Sequence, residues 1–441
     1  MGRHSHSRAL NIWMNGELLG QWTLLSNGTH ELTYAESWHS SLAVRPLSLS
    51  LPMTGHALRG RMVEHYFDNL LPDSIEIRRR VQTNFRTPSA HAFDLLSAIG
   101  RDCVGAVQLL PIDMEPEAWN VIEAQPLSPA EIEQWLSRVV TPGHPMGGND
   151  EESFRISLAG AQEKTALTWH QGQWCKPHGA TPTTHIFKLP MGLVGNRQAD
   201  MTSSVENEWL CAQLAKAVGL PVASCEIGHW GAQKALVVER FDRRLAASGT
   251  HWLRLPQEDF CQALGLPSHL KYQAEGGPGL GSLAALLRTS SNSAGDLRTL
   301  FESQLFFWML AATDGHAKNY SLFLLPGGAH RLTPLYDILS AWPIAGIGAQ
   351  QVAQEKLKMA MALRGKNLHY HVKTIQPRHF LDTAKREGYA GMEGSMHRLA
   401  TGMPAALEKI AKQLPNDFPQ ALFDKVAKGV WAMSRRLQSG D

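Results

Sequence analysis

Cysteine is scarce in this chain of 441 residues: Cys103, Cys175, Cys211, Cys225 and Cys261 are scattered, odd in number and never spaced as C-x-x-C. That pattern argues against a disulfide scaffold and against a cysteine-bound zinc site. The twenty histidines form only loose pairs, such as His4 with His6 and His369 with His371, and no H-E-x-x-H run occurs. They read as surface or satisfied core side chains. No apolar run approaches the ~20 residues that a membrane span needs. The opening Met1 to Arg8 leads into Ala9-Leu10-Asn11-Ile12-Trp13 without the apolar stretch of a signal peptide, so the expectation is a cytoplasmic protein with no membrane partner. Charge of one sign is lacking too. The net value of +2 is too small to advertise a nucleic-acid partner, and any DNA contact must be a local patch. No repeat of useful period is visible.

What is present is a folded, globular composition, 43% hydrophobic and 19% charged, with length for two or three domains. Residues 1–112 read as a small α/β unit. In it, Leu10–Trp13 and Leu18–Leu24 form a hairpin across Asn15-Gly16. Arg45–Pro52 alternates apolar and polar as a half-buried strand does, Ser74 opens a helix, and Ala92–Ile99 is a helix closed by Gly100. Proline, acid and glycine mark 113–153 as a linker. Residues 154–241 alternate strands with one helix, and 242–441 are dominated by helical patterns. A strand-bearing small lobe before a large helical lobe is the order of a bilobal, α+β, protein-kinase-like fold.

The densest chemistry lies at Thr313-Asp314-Gly315-His316-Ala317-Lys318-Asn319. An Asp with an Asn five positions on matches D-x-x-x-x-N, in which the carboxylate takes a hydroxyl proton and the amide oxygen meets a metal ion. Upstream, Phe301, Leu305, Phe306, Met309 and Leu310 recur at helical spacing. Downstream, Tyr320–Leu325, Pro326-Gly327-Gly328 and Arg331–Tyr336 read as a hairpin that returns Asp337 toward Asp314 and Asn319. Residue by residue, turn and cap roles explain Asp314, Asn319 and Asp337 equally well. Together with their partners they read as a phosphotransfer site.

Those partners lie in the small lobe. Phe154–Leu167 reads as strand, loop and strand, and Ala159-Gly160-Ala161 would let backbone N–H groups approach an anion. Glu163 stands where a Walker A loop has its second glycine, and a carboxylate there repels phosphate. An ordinary hairpin is an equal alternative. Lys188 sits inside the apolar strand Thr183–Pro190, where an ammonium needs an anion unless alternation turns it to solvent. Glu208, on the helix that starts near Ser204, is the candidate partner, although Glu206 and Glu208 also suit a helix N-terminus. Ala235–Arg243 is placed as the segment joining two lobes.

With Ser157–Thr165, Lys188, Glu239–Asp242 and Ala312–Asn319 in hand, together with Phe67–Ser74 and Arg254–Asp259, the chain resembles the HipA family over nearly its whole length. These are toxin kinases of bacterial type II toxin–antitoxin pairs. The resemblance implies a protein serine/threonine kinase using ATP and Mg²⁺, and a protein substrate among translation components, glutamyl-tRNA synthetase first. It also implies a helix-turn-helix antitoxin of the HipB kind, through which the complex binds operator DNA as a repressor. By position it implies Asp314 as catalytic base, Asn319 and Asp337 as metal ligands, and Ser157 as the autophosphorylated serine. Ala159, Gly160, Ala161, Gln162, Glu163, Lys164, Lys188, Glu239, Arg240, Phe241, His316, Lys318, Asn319, Tyr336 and Asp337 would border ATP. A phosphoserine at 157, carrying about −1.5 to −2 charges, would be repelled by ATP phosphates and Glu163 and would leave the site. Lys373, Arg378, Lys385 and Arg386 read either as a phosphate-contacting patch or as a solvated helix face. A corepressor that has lost catalysis and a small-molecule kinase stay open as other readings.

Overall fold

The computed structural model describes residues 7–140, 162–195 and 198–439. Strands β1 (Arg8–Met14) and β2 (Glu17–Leu24) pair antiparallel. Their turn uses Asn15 and Gly16 at φ +47° and +85°, the left-handed pair that a two-residue hairpin loop requires. Strands β3 (His30–Tyr34), β4 (Leu58–Arg59) and β5 (Gln108–Pro111) complete a five-stranded antiparallel sheet in the order β4-β3-β2-β1-β5. Helices α1 (Glu36–His39), α2 (Arg61–Asp68), α3 (Ile75–Phe85) and α4 (Ala92–Ile99) accompany it. Trp22 and Phe67 stack at 3.8 Å in its core. Ser74 caps α3 through its hydroxyl, as its position predicts.

Arg45–Pro52 is not a strand. Leu47 and Leu51 are both buried, but they reach the core around a turn, closed by Leu51 N–H to the Ser48 carbonyl at 3.0 Å. The Tyr34 hydroxyl takes the Leu47 N–H and donates to the Leu51 carbonyl, satisfying the backbone that a ladder would otherwise have paired. Alternation reports which residues are buried; here a tyrosine, and not a neighbouring strand, met the polar groups between them.

The segment expected as a linker contributes, over its described part, strand β6 (Ala124–Pro126) and helix α5 (Pro129–Val140). They join β7 (Lys164–His170), β8 (Gln173–Pro177) and β9 (His185–Lys188). Past the small hairpin β10 (Gly192–Val194) and β11 (Ala199–Met201) and helix α6 (Ser204–Ala217) come β12 (Cys225–Trp230) and β13 (Gln233–Glu239). The six-stranded antiparallel sheet runs β12-β13-β9-β7-β8-β6. Ile132, Leu136 and Val139 of α5 pack with Leu167, Phe187 and Val237, and Val205 of α6 packs with Leu236 and Val238.

The remaining chain is built around α9 (Ser293–Leu310), whose residues from Leu300 to Leu310 are all buried. Around it lie α7 (Phe260–Ala263), α8 (Leu280–Leu287), α10 (Pro377–Arg386), α11 (Met392–Ala411) and α12 (Gln420–Ser439). The hairpin pair β14 (Arg243–Leu245) and β15 (Trp252–Arg254) precedes a three-stranded sheet of β16 (Gln257–Asp259), β17 (Ser321–Leu324) and β18 (His330–Leu332). The architecture is therefore a bilobal kinase-like α+β fold with an added N-terminal unit and a mainly helical large lobe. No helix of the described residues is long and apolar enough to cross a membrane.

The N-terminal unit docks through buried charge. Asp102 accepts from Arg243 (2.8 Å), Arg254 (3.2 Å), Arg240 (3.3 Å) and the Thr183 hydroxyl (2.7 Å). Gly105 N–H donates to Asp242 at 2.7 Å; a Cβ on Gly105 would lie 2.7 Å from the Gln257 carbonyl, so this approach requires glycine. Glu258, fully buried, accepts from Leu49 N–H at 2.9 Å, and burial pushes its carboxyl up to about 8. A folded-state value above the ordinary 4.5 stabilises fully below that value and is lost as pH rises toward 8. Glu258→Gln removes this titration. Between pH 5 and pH 8.5 the variant should gain at least ~1 kcal/mol relative to the parent, read as denaturant midpoints at the two pH values. Equal shifts at both would show that Glu258 does not titrate in this window.

Candidate functional site

Helix α9 stops because Ala311 takes a left-handed conformation, φ +48°, and Ala312 N–H returns to the Phe307 carbonyl at 2.7 Å. The chain then crosses the end of its own helix. Gly315 makes this possible, since a Cβ there would sit 2.4 Å from the buried Phe307 ring. His316 N–H donates to the Asp314 carbonyl and Asn319 N–H to the His316 carbonyl, giving a tight loop with Asp314 at its tip. The Asn319 amide nitrogen donates to that same Asp314 carbonyl at 2.8 Å. Its amide oxygen is thus the end available to a cation.

Lys188 is the electrostatic centre. Residues 188, 236 and 164 lie side by side across β9, β13 and β7. The Lys188 ammonium donates to Glu208 at 2.6 Å and to Asp337 at 2.7 Å. Burial opposes its charge, but Asp337 and Glu208 more than offset this and raise its pKa. The two carboxylates respond differently. Burial raises Glu208 to about 7 in spite of Lys188, whereas Asp337, whose burial Lys188 and Lys164 outweigh, is lowered. Lys164, opposite Lys188, is lowered to about 8 by burial and then by its neighbour's charge. Asp337 reaches Lys188 because Leu335 is held between the Pro221 carbonyl and the Ala223 N–H, 2.8 Å each. It sits at φ +59°, a region Asp tolerates better than most residues.

Lys164, Lys188, Asp314, Asn319 and Asp337 line one cleft, together with Ile186, Val238, Glu239, Arg240, Phe241, His316, Lys318 and Tyr336, while Glu208 stands behind it. Phe241 and Tyr336 stand 5.7 Å apart as an aromatic wall, and the Tyr336 hydroxyl donates to the Lys318 carbonyl at 2.9 Å. Arg240 reaches the cleft, but its guanidinium is committed to Asp102, Asp242, Thr183 and the Cys103 carbonyl. Gln162 donates to the Leu189 carbonyl at 2.6 Å. Glu163 is gripped by Arg80 of α3, at 2.5 and 2.6 Å, which neutralises a carboxylate that sequence alone sets against phosphate. Ser157, Ala159, Gly160 and Ala161 lie outside the described residues. Lys373, far along the chain, pairs with Glu355.

Four site residues have no motif to announce them. Asp73, from the N-terminal unit, bridges Lys271 and Lys318 at 2.7 Å each, and these two cations hold its pKa well below the usual range against burial. The Tyr272 hydroxyl donates to Asp314. Asp259 lines the cleft floor, raised by burial to about 6. Asp73 does lie in the run Phe67–Ser74, where its place before a helix hides it as a capping residue. Lys271 and Tyr272 follow a loop with no pattern at all. Asp314 keeps 49% of its side chain exposed, but that surface faces the cleft, and desolvation there raises it to about 6 against the pull of the Tyr272 hydroxyl. His316, 3.6 Å from Asp314, is lowered by burial to about 3 and is neutral at pH 7.

No three His, Cys, Asp or Glu side chains gather as a metal cage among the described residues. Magnesium does not require one, because it keeps waters and borrows phosphate oxygens around one or two protein oxygens. The Asn319 amide oxygen and the anionic Asp337 fit that role.

The family described as HipA-like C-terminal domain matches residues 156–421, and the HipA N-terminal domain matches residues 10–110. Among curated relatives, Y4mE of Sinorhizobium fredii, provisionally named a kinase, is 37% identical over 361 residues, 81% of this chain and 80% of that protein. The serine/threonine-protein kinase toxin HipA of Shewanella oneidensis is 30% identical over 327 residues, 71% of this chain and 70% of that protein. Among solved structures, the complex of Shewanella oneidensis MR-1 HipA, HipB and operator DNA contains a chain of the same fold. It has a TM-score of 0.79 at 24% identity and covers 98% of this chain and 97% of that one.

Replacing Lys188 by Met leaves Glu208 and Asp337 without the cation that bridges them. Loss of one partner from such a buried cluster should cost about 3–5 kcal/mol at pH 7.5. The cost should shrink at pH 5.5, where Glu208 takes up a proton. Denaturant unfolding at both pH values checks this; an equal loss at both would show that the carboxylates are not what the lysine neutralises.

Proposed function

The chain belongs to the HipA family, and from that premise we propose that it is an ATP-dependent serine/threonine protein kinase acting as the toxin of a toxin–antitoxin pair. The observation that carries this reading is the convergence of Lys188, Asp337, Asn319 and Asp314 on one cleft with an aromatic wall. An ammonium, two oxygen donors and a carboxylate of raised pKa suit a nucleoside triphosphate on one side and a hydroxyl on the other. A pure scaffold has no use for all four.

In this mechanism Lys188 contacts phosphate, with Glu208 fixing its direction. Asn319 and Asp337 would hold Mg²⁺, which when bound would neutralise phosphate charge; Asp337 would then share its charge between Lys188 and the metal. Asp314 accepts the proton of the acceptor hydroxyl as the γ-phosphoryl of ATP passes in line to that oxygen. With a pKa of about 6 it is ionised at pH 7 and still basic enough to take the proton. Val238 to Phe241 border the base, and Lys164, Lys318 and Gln162 border the phosphates.

The finer parts of the proposal rest on the family. Ser157 is taken as the autophosphorylated serine. Because Arg80 neutralises Glu163, the repulsion felt by a phosphoserine there comes chiefly from the nucleotide. The partner is taken to be a HipB-like helix-turn-helix antitoxin and, through it, operator DNA, as in the Shewanella complex named above. The acceptor is a translation component, glutamyl-tRNA synthetase first.

Asp314→Ala should lower Mg-ATP-dependent phosphotransfer by ~10²–10⁴ with circular dichroism unchanged. In the parent, kcat/KM should fall as pH drops below about 6, where Asp314 gains its proton. Transfer of ³²P from labelled ATP checks both. A protein that shifts operator DNA with its antitoxin yet transfers no phosphate to itself or to glutamyl-tRNA synthetase would be a corepressor, and the kinase reading would fall.

A further inference from the structure

The proton-accepting carboxylate of the cleft already has a hydroxyl on it. Tyr272 donates its phenol O–H to Asp314 Oδ1, and among the described residues no other hydroxyl hydrogen-bonds to that side chain. We propose that Tyr272 marks and fills the subsite of the acceptor hydroxyl, so that the side-chain hydroxyl of a protein substrate must displace this phenol before it can react. The proposal rests on the kinase reading and deepens it by assigning the acceptor's place.

Three contacts hold the phenol there. Its ring meets the edge of His316 at 4.9 Å and 87°. Its neighbour Lys271 is tied to Asp73 of the N-terminal unit at 2.7 Å, and the Lys271 carbonyl accepts the Ala317 N–H of the catalytic loop at 3.4 Å. The backbone carbonyl of Tyr272 is also engaged, by Glu275 and Gly277 N–H. The tyrosine is therefore anchored through its ring by the loop that carries Asp314 and through its backbone and its neighbour Lys271 by that loop and the N-terminal unit. A base that must receive a proton from a substrate hydroxyl can use only one hydroxyl at that oxygen in productive geometry. Occupation by Tyr272 is then direct competition with the substrate, and it leaves the nucleotide side of the cleft untouched.

The test uses the full chain with Mg-ATP and dephosphorylated casein as acceptor. Tyr272→Phe keeps the ring and loses the O–H; Tyr272→Ala also clears the space. A hydrogen bond to a charged group corresponds to about a tenfold or larger change in an equilibrium. The KM for casein should fall by about that factor in Tyr272→Phe and further in Tyr272→Ala, with the KM for ATP unchanged. A casein KM that stays the same or rises in both variants overturns the proposal, as does casein left unlabelled by parent and variants alike while ATP is still turned over. If neither parent nor variants bind or turn over ATP, the kinase reading itself has failed. Should Tyr272→Ala not fold, Tyr272→Phe decides alone.

Discussion

A buried ammonium cannot stand by itself in a protein interior, and the position of Lys188 makes this the constraint around which both lobes are arranged. Its cross-strand neighbours are Leu236 and a second cation, Lys164, so the compensating charge must come from elsewhere in the chain. It comes from α6 through Glu208 and from the segment after the β17–β18 hairpin through Asp337. One cation thus ties β9 to the helix that follows it and to a segment of the large lobe far along the chain. Because two carboxylates share it, they part in character, Glu208 raised and Asp337 lowered. Asp337 alone faces the cleft, and the oxygen that stays anionic is thereby the one in a position to meet a metal.

The same rule governs how the N-terminal unit is attached. Asp102 lies among Arg240, Arg243 and Arg254, which hold its carboxyl well below the ordinary range against complete burial. Arg240 and Arg243 flank Asp242 at the end of β13, so the segment joining the lobes is clamped by the unit that precedes both. Arg80 meets Glu163, and Asp73 meets Lys271 and Lys318. The N-terminal unit therefore forms part of the cleft wall. Removing it would strand several buried charges at once, the costliest kind of loss for a folded chain.

Much of this was legible in the sequence wherever a local pattern and its tertiary environment agree. Hairpin chemistry at Asn15-Gly16, the cap at Ser74 and the helix closed by Gly100 depend on a few neighbouring residues, and each stands where the sequence places it. The loop from Asp314 to Asn319 could be read because its residue types are chemically odd for a turn and lie just beyond an apolar helix. Arg45–Pro52 misled because alternation encodes burial only, and Tyr34 supplied what a strand partner would have. Asp73, Lys271, Tyr272 and Arg80 were illegible for a different reason. Each is an ordinary surface-type residue in its own neighbourhood, and each acquires its role through a contact more than forty residues away. Glu163 shows the converse: repulsive toward phosphate in sequence, it is neutral in effect once Arg80 is folded against it.

Among the cleft's described lining residues stand Lys164, Lys188, Lys271, Lys318 and Arg240, against Asp73, Glu239, Asp242, Asp259, Asp314 and Asp337. Arg240 is consumed by Asp102 and Asp242, Lys188 by Glu208 and Asp337, and Lys271 and Lys318 by Asp73. A polyanion entering such a site finds cations that are already matched, so simple attraction to the walls gives it little. Two changes alter the balance. A divalent ion at Asn319 and Asp337 would free Lys188 from one of its carboxylates, and Lys164, lowered to about 8, would hold its proton more firmly beside a phosphate. Affinity for a triphosphate in this cleft should therefore depend on magnesium far more than on the number of lysines around it.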